Sequence, residues 1–269
     1  MPLDAVTVSA LAKELSERLE GGRIDKVQQP ERDMLLLSLR AKGENLRLVI
    51  AAGTGNARAG ITRGSFENPA EPPMFCMLMR KHLVGARILS VTQPEYERLL
   101  IFTLDTHDEL GVQSEKKLAV ELIGRSANAV LIGADGRIID CMRRMDFAGD
   151  ALRRMLPGMI YRLPPKQEKP VFFALDPAQR RALIASADKT VPVDKWLMDS
   201  FSALSPLICR ELAYRCNNDY VNLPDACDAL CEVVAAGELA PWLISIDGKP
   251  LPQEGKELAS LRAEVGMVF

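Results

Sequence analysis

The sequence predicts an α+β protein whose strand-rich N-terminal part is followed by an all-helical part. Three observations support this: a helix–strand–strand pattern that occurs twice, further short strands up to about residue 142, and four helical segments after a proline-rich stretch. The 269 residues, 48% hydrophobic and 26% charged, are enough to bury a sizeable core. We expect domains at 1–165 and 171–240, with a terminal strand segment at 241–269.

The first copy of the repeat begins with an amphipathic helix. Three leucines recur at helical spacing: Leu11, Leu15 and Leu19. Thr7 is the expected N-cap, and Gly21-Gly22 ends the helix because glycine adopts a left-handed cap at little cost. Strands are predicted at 23–29 and 34–39, joined by a proline-containing turn at 30–33.

The second copy appears when the sequence is shifted by 64 positions. The helix leucines then fall on Phe75, Met79 and Leu83, Gly21 falls on Gly85, Gln29-Pro30-Glu31 on Gln93-Pro94-Glu95, and Leu35-Leu36 on Leu99-Leu100. Two copies are too few for a solenoid, so we predict a duplicated unit within one domain. The same shift places Arg98 where the first copy has Met34.

The remaining elements follow from periodicity and turn residues. Further strands are predicted at 46–52, 117–123, 128–132 and 137–142, and helices at 177–187, 193–201, 206–215 and 224–236. The segment between the two parts, 163–170, has the composition of a linker. The glycine-rich loop at 53–60 lacks the lysine and Ser/Thr of a nucleotide-binding phosphate loop, so no nucleotide site is expected there.

Cysteine usage indicates buried, reduced thiols rather than a metal site. The six cysteines are scattered without a CxxC pair: Cys76, Cys141, Cys209, Cys216, Cys227 and Cys231. The two histidines, His82 and His107, lie far from the Cys227/Cys231 pair in sequence. We therefore expect neither a metal nor a cofactor. No histidine lies in a nucleophile motif, so we expect no enzymatic activity.

The charge is nearly balanced at −2, but a basic stretch stands out. Residues 137–169 hold eight basic side chains, including the candidate phosphate contacts Arg143, Arg144, Arg153 and Arg154. Two interpretations stay open for them, a phosphate-binding face and an ordinary solvated surface. The turn Ser205-Pro206 is a further candidate, because a serine cap and Pro at the first helical position could present free amides to a phosphate. The alternative is a plain turn between helices, since such phosphate-binding hairpins usually carry glycines where Ala203 and Ser205 stand.

No stretch reaches the ~18 apolar residues of a membrane span, and the first 20 residues are unlike a signal peptide. A cytoplasmic protein without membrane contact is expected. Its oligomeric state stays open.

Four segments in order resemble the N-terminal region of the NFACT family, whose bacterial members are known as RqcH or fibronectin-binding protein A: residues 21–30, 72–83, 120–128 and 201–207. The resemblance implies a domain similar to that of formamidopyrimidine-DNA glycosylases, followed by a helix-hairpin-helix domain. It also implies that the chain stops before the family's coiled coil.

The resemblance implies a role in ribosome-associated quality control. Family members bind the large ribosomal subunit that carries a stalled peptidyl-tRNA, recruit tRNA, and support untemplated C-terminal tailing, with alanine in bacteria. For this chain it implies a binding module for alanyl-tRNA and the large subunit. Peptide-bond formation itself would be the work of the ribosome.

The resemblance also implies residue roles. An Asp-Arg doublet that the family uses in tRNA recruitment corresponds to Glu97-Arg98, and Asp4 is a weaker candidate on the same surface. Glu121, Leu122 and Arg125 would border the ribosome- or tRNA-facing surface. The alternatives are a turn-stabilising ion pair at 97–98, and a core Leu122 beside a solvated Glu121.

Two other functions stay open. A DNA glycosylase would use the Pro2 amine, but Leu3 stands where that chemistry needs a carboxylate, and the sequence offers no four-ligand zinc site. A surface-displayed, fibronectin-binding adhesin is suggested by the older family name, although the sequence begins with no export signal.

Overall fold

The computed structural model describes residues 3–53, 55–107, 111–144, 153–237 and 239, together with the backbone of 243–244 and 250–251. The strand-rich part contains α1 (Ala5–Leu19), β1 (Arg23–Glu31), β2 (Met34–Ala41), β3 (Glu44–Ala51), β4 (Arg58–Ile61), α2 (Met74–Leu83), β5 (Arg87–Thr92), β6 (Leu99–His107), β7 (Gln113–Glu121), β8 (Asn128–Ile132) and β9 (Ile138–Cys141). The helical part contains α3 (Pro177–Ala185), α4 (Val193–Ser200), α5 (Pro206–Arg215) and α6 (Leu223–Ala236).

All nine of these strands form one antiparallel sheet in the order β4-β3-β2-β1-β5-β6-β7-β8-β9. The α+β prediction is thus confirmed, and the structure adds that the strands form one large antiparallel sheet. The sheet is symmetric about its β1/β5 junction, because each half runs outward from the junction in chain order. The duplicated unit is therefore larger than the sequence pattern indicates: it comprises a helix and four strands.

The hydrogen bonds at the β1/β5 junction obey this symmetry. The amide of Gly21 donates to the carbonyl of Ile88 at 2.8 Å, and the amide of Gly85 donates to the carbonyl of Ile24 at 2.8 Å. Gly21 and Gly85 have φ of 78° and 88°, which L side chains rarely adopt. The equivalent glycines turn the chain from each helix into its first strand, so the two copies meet through identical backbone geometry.

Beyond the junction the copies go out of step by one residue. Val27 lies opposite Leu37 in the first hairpin. Val91, its equivalent at a shift of 64, lies opposite Phe102, which is 65 positions after Leu37. The turn of the second hairpin therefore contains one extra residue.

This changes the residue to which Arg98 corresponds. Arg98 is equivalent to Asp33, because the carbonyl of Asp33 accepts from the amide of Ala52 and the carbonyl of Arg98 accepts from the amide of Leu122, each at 2.8 Å. The sequence pairing of Arg98 with Met34 is wrong by one position. A shift of 64 ignores the extra residue in the second turn, so it pairs Met34 with Arg98. The structural counterpart of Met34 is Leu99.

The main core lies between the sheet and the two repeat helices. It contains the predicted helix residues of both copies together with alternate strand residues, among them Leu15, Met79, Leu35 and Leu100. Smaller apolar clusters cover the opposite face, one around Leu99 and Met155 and one around Met34 and Phe66. Because both faces of the sheet are covered at these strands, most of β2 and all of β8 are buried.

The helical part has its own core, built from all four helices and the aromatic ring of Phe172. The predicted helix spans are close to those observed. Arg180 is buried in this part, where its guanidinium donates to Asp228 at 2.8 Å and lies over the Phe172 ring. Arg180 and Arg181 together hold the pKa of the Asp228 carboxyl below its ordinary value.

Helix α1 begins earlier than the sequence indicates. Its N-cap is Asp4, whose Oδ1 accepts from the Thr7 amide at 2.9 Å, so Thr7 lies in the first turn and is not the cap. At the other end of the chain, residues 243–244 pair with 250–251 as short antiparallel strands, while most of the terminal segment predicted at 241–269 lies outside the described residues.

All six cysteines are free, and five are buried, as the sequence predicts. Burial raises the pKa of the Cys141 and Cys209 thiols to about 12. Across the described part of the chain, no group of three or more His, Cys, Asp or Glu side chains could hold a metal ion. Within the same residues, no helix is long and apolar enough to cross a membrane.

Candidate functional site

The turn of the second hairpin, residues 93–98, has an unusual backbone. Glu95 and Tyr96 have φ of 45° and 56°, the left-handed region that costs an ordinary L residue about 1–2 kcal/mol. Pro94 opens a short 3₁₀ turn, closed by the Glu97 amide donating to the Pro94 carbonyl at 2.8 Å. Two successive strained residues persist only where the surroundings hold them, and such sites are often functional.

Three side chains of this turn reach other parts of the molecule. The Tyr96 ring packs against Phe173, with centroids 5.0 Å apart, and so joins the core of the helical part. Glu95 forms an exposed ion pair with Lys166. The Gln93 amide donates to the carbonyls of Ala5 and Glu97. The turn is therefore fixed to α1, to the linker and to the helical part.

Glu97 and Arg98 are both half-buried at the end of this turn. Burial raises the pKa of the Glu97 carboxyl, and the adjacent Arg98 charge only partly offsets this effect. The backbone of Arg98 is anchored by Leu122, but no hydrogen bond or ion pair joins its guanidinium to another residue of the described chain. A guanidinium has five donor hydrogens, so Arg98 keeps its full capacity to bind an anion.

Asp4 lies where the sheet part meets the helical part. While its Oδ1 caps α1, its Oδ2 accepts from the Ser205 hydroxyl at 2.8 Å. Ser205 is itself the N-cap of α5, since its Oγ accepts from the Ile208 amide at 3.3 Å. The caps of two helices are thus hydrogen-bonded to each other across the two parts, and a carboxylate already lies at the helix N-terminus considered for phosphate. Ala203 in this turn adopts φ of 68°, the conformation for which such hairpins use glycine.

A groove of about 610 Å³ lies between α1 and the candidate turn. Most of the residues that line it are polar: Ser9, Ala12, Lys13, Ser16, Glu17, Val91, Thr92, Gln93, Glu95 and Tyr96. The groove is open to solvent rather than enclosed.

The four arginines predicted to contact phosphate do not form one free basic face. Arg143 donates to the carbonyls of Arg125 and Ala127 at 3.0 and 3.2 Å, and so holds a loop of its own sheet. The Arg153 side chain is only 14% exposed and is bound to Glu121. Both guanidinium groups already have acceptors within the fold, so a phosphate at Arg143 or Arg153 would have to compete with those contacts.

The other two predicted arginines are exposed. Arg144 is bound to Asp140 at 3.3 Å, and Arg154 also has an interaction within the fold. A phosphate at either would have to share or replace that partner.

Glu121 and Leu122 are both about 1% exposed, so the expectation that they face a binding surface is wrong for their side chains. Arg153 donates to both carboxylate oxygens of Glu121, and the Tyr161 hydroxyl donates to Oε1 at 2.9 Å. Burial, together with the Glu121 charge, raises the pKa of Tyr161. The alternative of a solvated Glu121 is wrong as well, whereas Leu122 does belong to the core. Arg125, three residues further on, is exposed.

The structure brings two of the predicted regions together. Leu99 pairs with Glu121 in the sheet, and Leu122 donates to the Arg98 carbonyl, so segments 97–98 and 121–122 adjoin. Sequence reasoning missed Gln93 and the contact between Asp4 and Ser205. The sequence did contain a signal for Gln93, because Gln-Pro-Glu occurs at equivalent places in both copies, at 29–31 and at 93–95. The structure shows that the two motifs lead into different turns.

This architecture defines a class: an α+β protein with a duplicated antiparallel sheet, whose candidate site is a surface turn held by contacts to α1, the linker and the helical part. The chain belongs to the NFACT family, since the family model described as "NFACT N-terminal and middle domains" matches residues 4–251.

Individual relatives agree with this assignment. The chain is 35% identical over 251 residues to the Rqc2 homolog RqcH of Bacillus subtilis. This match covers 93% of this chain and 44% of that protein. It therefore spans less than half the length of that relative. The N-terminal structure of the fibronectin/fibrinogen-binding protein of Streptococcus suis has a TM-score of 0.81 at 26% identity and covers 96% of this chain and 97% of its own. The N-terminal domain of the fibronectin-binding protein PavA of Streptococcus pneumoniae has a TM-score of 0.74 at 27% identity, covering 90% and 92%.

Proposed function

We propose that this chain is the tRNA- and large-ribosomal-subunit-binding module of a ribosome-associated quality control factor, active in the cytoplasm. The factor would support untemplated C-terminal alanine tailing of stalled nascent chains. Family membership and the similarity to RqcH support this proposal. The observation that carries it for this chain is the Arg98 guanidinium, held at a braced turn without a hydrogen-bonding partner among the described residues.

The proposed chemistry is binding and orientation, without catalysis by this chain. Arg98 would pair with a tRNA phosphate or base edge, because a guanidinium donates two parallel hydrogen bonds to either. Glu97 would accept from a nucleotide amine or a 2′-hydroxyl, and its ionised form would make the stronger hydrogen bond. Arg125, Arg144 and Arg154 are the exposed arginines that would add non-specific attraction to RNA phosphates.

The fold-level part of the proposal is that the sheet domain is glycosylase-like and that α4 and α5 form a helix-hairpin-helix. The left-handed Ala203 and the Ser205 cap support the hairpin. In this interpretation Ser205 binds Asp4 rather than a phosphate, so the hairpin serves to dock the helical part.

The test is an Arg98→Ala variant of the protein expressed in its own cells, recovered with its bound RNA. We expect recovery of tRNA to fall at least tenfold, as for loss of a charge-assisted bidentate contact. Melting temperature and large-subunit association should be unchanged, because Arg98 contributes no side-chain hydrogen bond or ion pair to the described fold. Arg40→Ala is the matched control, since Arg40 is an exposed arginine with one 3.4 Å contact to Asp25. Equal tRNA recovery from the wild type and Arg98→Ala would refute the proposal.

A second candidate is adhesion to fibronectin, which the names of the two streptococcal structures report for those proteins. Binding of purified protein to immobilised fibronectin separates the two functions. Adhesion that is retained by Arg98→Ala, with no tRNA bound to the wild type, would favour the second candidate.

A further inference from the structure

Gln93 connects the start of α1 to the Glu97-Arg98 pair. Its Nε2 donates to the Ala5 carbonyl at 2.8 Å and to the Glu97 carbonyl at 2.9 Å. Both protons of the amide nitrogen are thus used, one on each side of the interface between α1 and the turn. Ala5 directly follows Asp4, which is hydrogen-bonded to Ser205.

The segment that Gln93 spans is the strained one. Glu95 and Tyr96, both left-handed, lie between Gln93 and Glu97. A turn with such residues has more favourable backbone conformations available, so it keeps this shape only while its ends are fixed. The Gln93 side chain fixes the far end, because it holds the Glu97 carbonyl immediately before Arg98.

The first copy of the repeat offers a direct comparison. Gln29 occupies the equivalent position, and its Nε2 donates to the Arg32 carbonyl at 2.8 Å. Gln29 is 4% exposed and closes its own hairpin turn, where Arg32 and Asp33 complete a tight connection between β1 and β2. The same amide therefore closes a turn in both copies, but only Gln93 also has a helix carbonyl as its second acceptor.

We propose that Gln93 is a positioning residue for tRNA recruitment. It fixes the backbone of Glu97, and through it the direction of Arg98, relative to the Asp4 end of α1. This inference rests on the proposed function. Gln93 itself uses its donor groups within the fold, so it would act through the backbone of Glu97 and Arg98.

The experiment replaces the amide by its isosteric acid. Gln93→Glu removes the donor and directs a carboxylate at two carbonyl oxygens, so the turn is released while side-chain size is kept. We expect tRNA recovery to fall by about tenfold, as for loss of the charge-assisted Arg98 contact that the turn positions. Recovery relative to the wild type should improve on acidification, because the introduced carboxyl group regains one donor when it is protonated.

Gln29→Glu is the matched control. It makes the same change in the half without the site, and its melting temperature should fall at least as far as that of Gln93→Glu because Gln29 is the more deeply buried. Its tRNA recovery should stay at the wild-type level. Gln93→Met removes the donors without adding charge, and should lose tRNA binding with normal large-subunit association even if the acid variant folds poorly.

Arg98→Ala in the same assay distinguishes failure of the positioning role of Gln93 from failure of the proposed function. If Arg98→Ala loses tRNA while Gln93→Glu and Gln93→Met bind it normally, the positioning role is refuted and the proposed function stands. Equal losses in Gln93→Glu and Gln29→Glu would also refute the role, because the effect would then be general destabilisation. If Arg98→Ala itself binds tRNA normally, the proposed function fails and the role of Gln93 fails with it.

Discussion

The two halves of the sheet, residues 5–61 and 74–132, have the same fold with different chemistry at equivalent positions. Each has a helix followed by four strands, and they meet through symmetric backbone hydrogen bonds. At the outer turn the first half has Asp33, in a two-residue connection, where the second has Arg98 after an extra residue. At the adjoining strand end the first half has Ala51 where the second has Glu121.

The comparison shows which features stability requires. Glycines and apolar residues at the junction and in the core are common to both halves, so they account for the fold. At the turn, Glu97-Arg98 of the second half replaces Arg32-Asp33 of the first half, so the signs of the two charges are reversed, and the buried Glu121 replaces an uncharged Ala51. Features present in one copy only are therefore the better candidates for function.

The largest expected loss of stability comes from replacing the buried Glu121 of the second half by alanine, the residue at the equivalent position 51 of the first half. Glu121→Ala leaves Arg153 without its carboxylate in a site where the two side chains are 0% and 14% exposed. We expect the free energy of unfolding to fall by about 3–5 kcal/mol. Urea unfolding at neutral pH measures this loss. The double variant Glu121→Ala/Arg153→Met should recover at least half of it, and a single-variant loss below about 1 kcal/mol would contradict the assigned burial.

A smaller loss of stability, of the same size at both positions, is expected at the two junction glycines, Gly21 and Gly85. An added Cβ has open space at Gly21, and at Gly85 it meets only the end of the Arg23 side chain at 3.7 Å. Gly21→Ala and Gly85→Ala should therefore each cost only the left-handed backbone, about 1–2 kcal/mol. Gly43→Ala provides the reference, because Gly43 has φ of 81° and open space in a hairpin of the first half alone. Clearly unequal losses at Gly21 and Gly85 in thermal unfolding would break the symmetry.

The smallest effect, of opposite sign, is expected at Glu97. Burial raises its pKa, so the ionised carboxylate is disfavoured in the folded state and protonation adds stability as the pH falls through that pKa. Glu97→Gln should therefore be slightly more stable than the wild type at pH 7, by less than about 0.5 kcal/mol. The difference should vanish below about pH 4, where Glu97 is itself protonated. A destabilised Glu97→Gln at neutral pH would show that the carboxylate supports the turn, as the ion-pair alternative requires.

Local patterns predicted much of this fold. The 64-residue repeat, both repeat helices and all four later helices are visible in apolar spacing, glycine and proline. The register after the second turn was not, because a shift that aligns Leu35-Leu36 with Leu99-Leu100 looks as good in sequence as the correct one. Alternation in a strand fixes which residues share a face, but it cannot detect an extra residue in the preceding turn.

The site was harder to predict than the fold. An arginine in a basic stretch looks the same whether it faces solvent or a buried carboxylate, so Arg153 and Glu121 could be paired only by tertiary structure. Asp4 and Ser205 are 201 positions apart, and no periodic pattern connects them. Glu97-Arg98 came from resemblance to a family, whereas their neighbour Gln93 needed the comparison of two turns in three dimensions.

The contacts of α1 with the helical part have a consequence for synthesis of the chain. Val6 is buried in the core of the helical part, and Lys13 donates to the carbonyl of Gly237, 224 positions away, at 3.1 Å. At about 5–20 residues per second, the ribosome needs roughly 10–45 s to make those partners after α1 has emerged. During that interval α1 can pack on the sheet but not on α5 or α6, so Val6 stays exposed to solvent. Helix α1 is thus made long before it can be fully covered, and a chain cut short before α6 would expose that apolar surface.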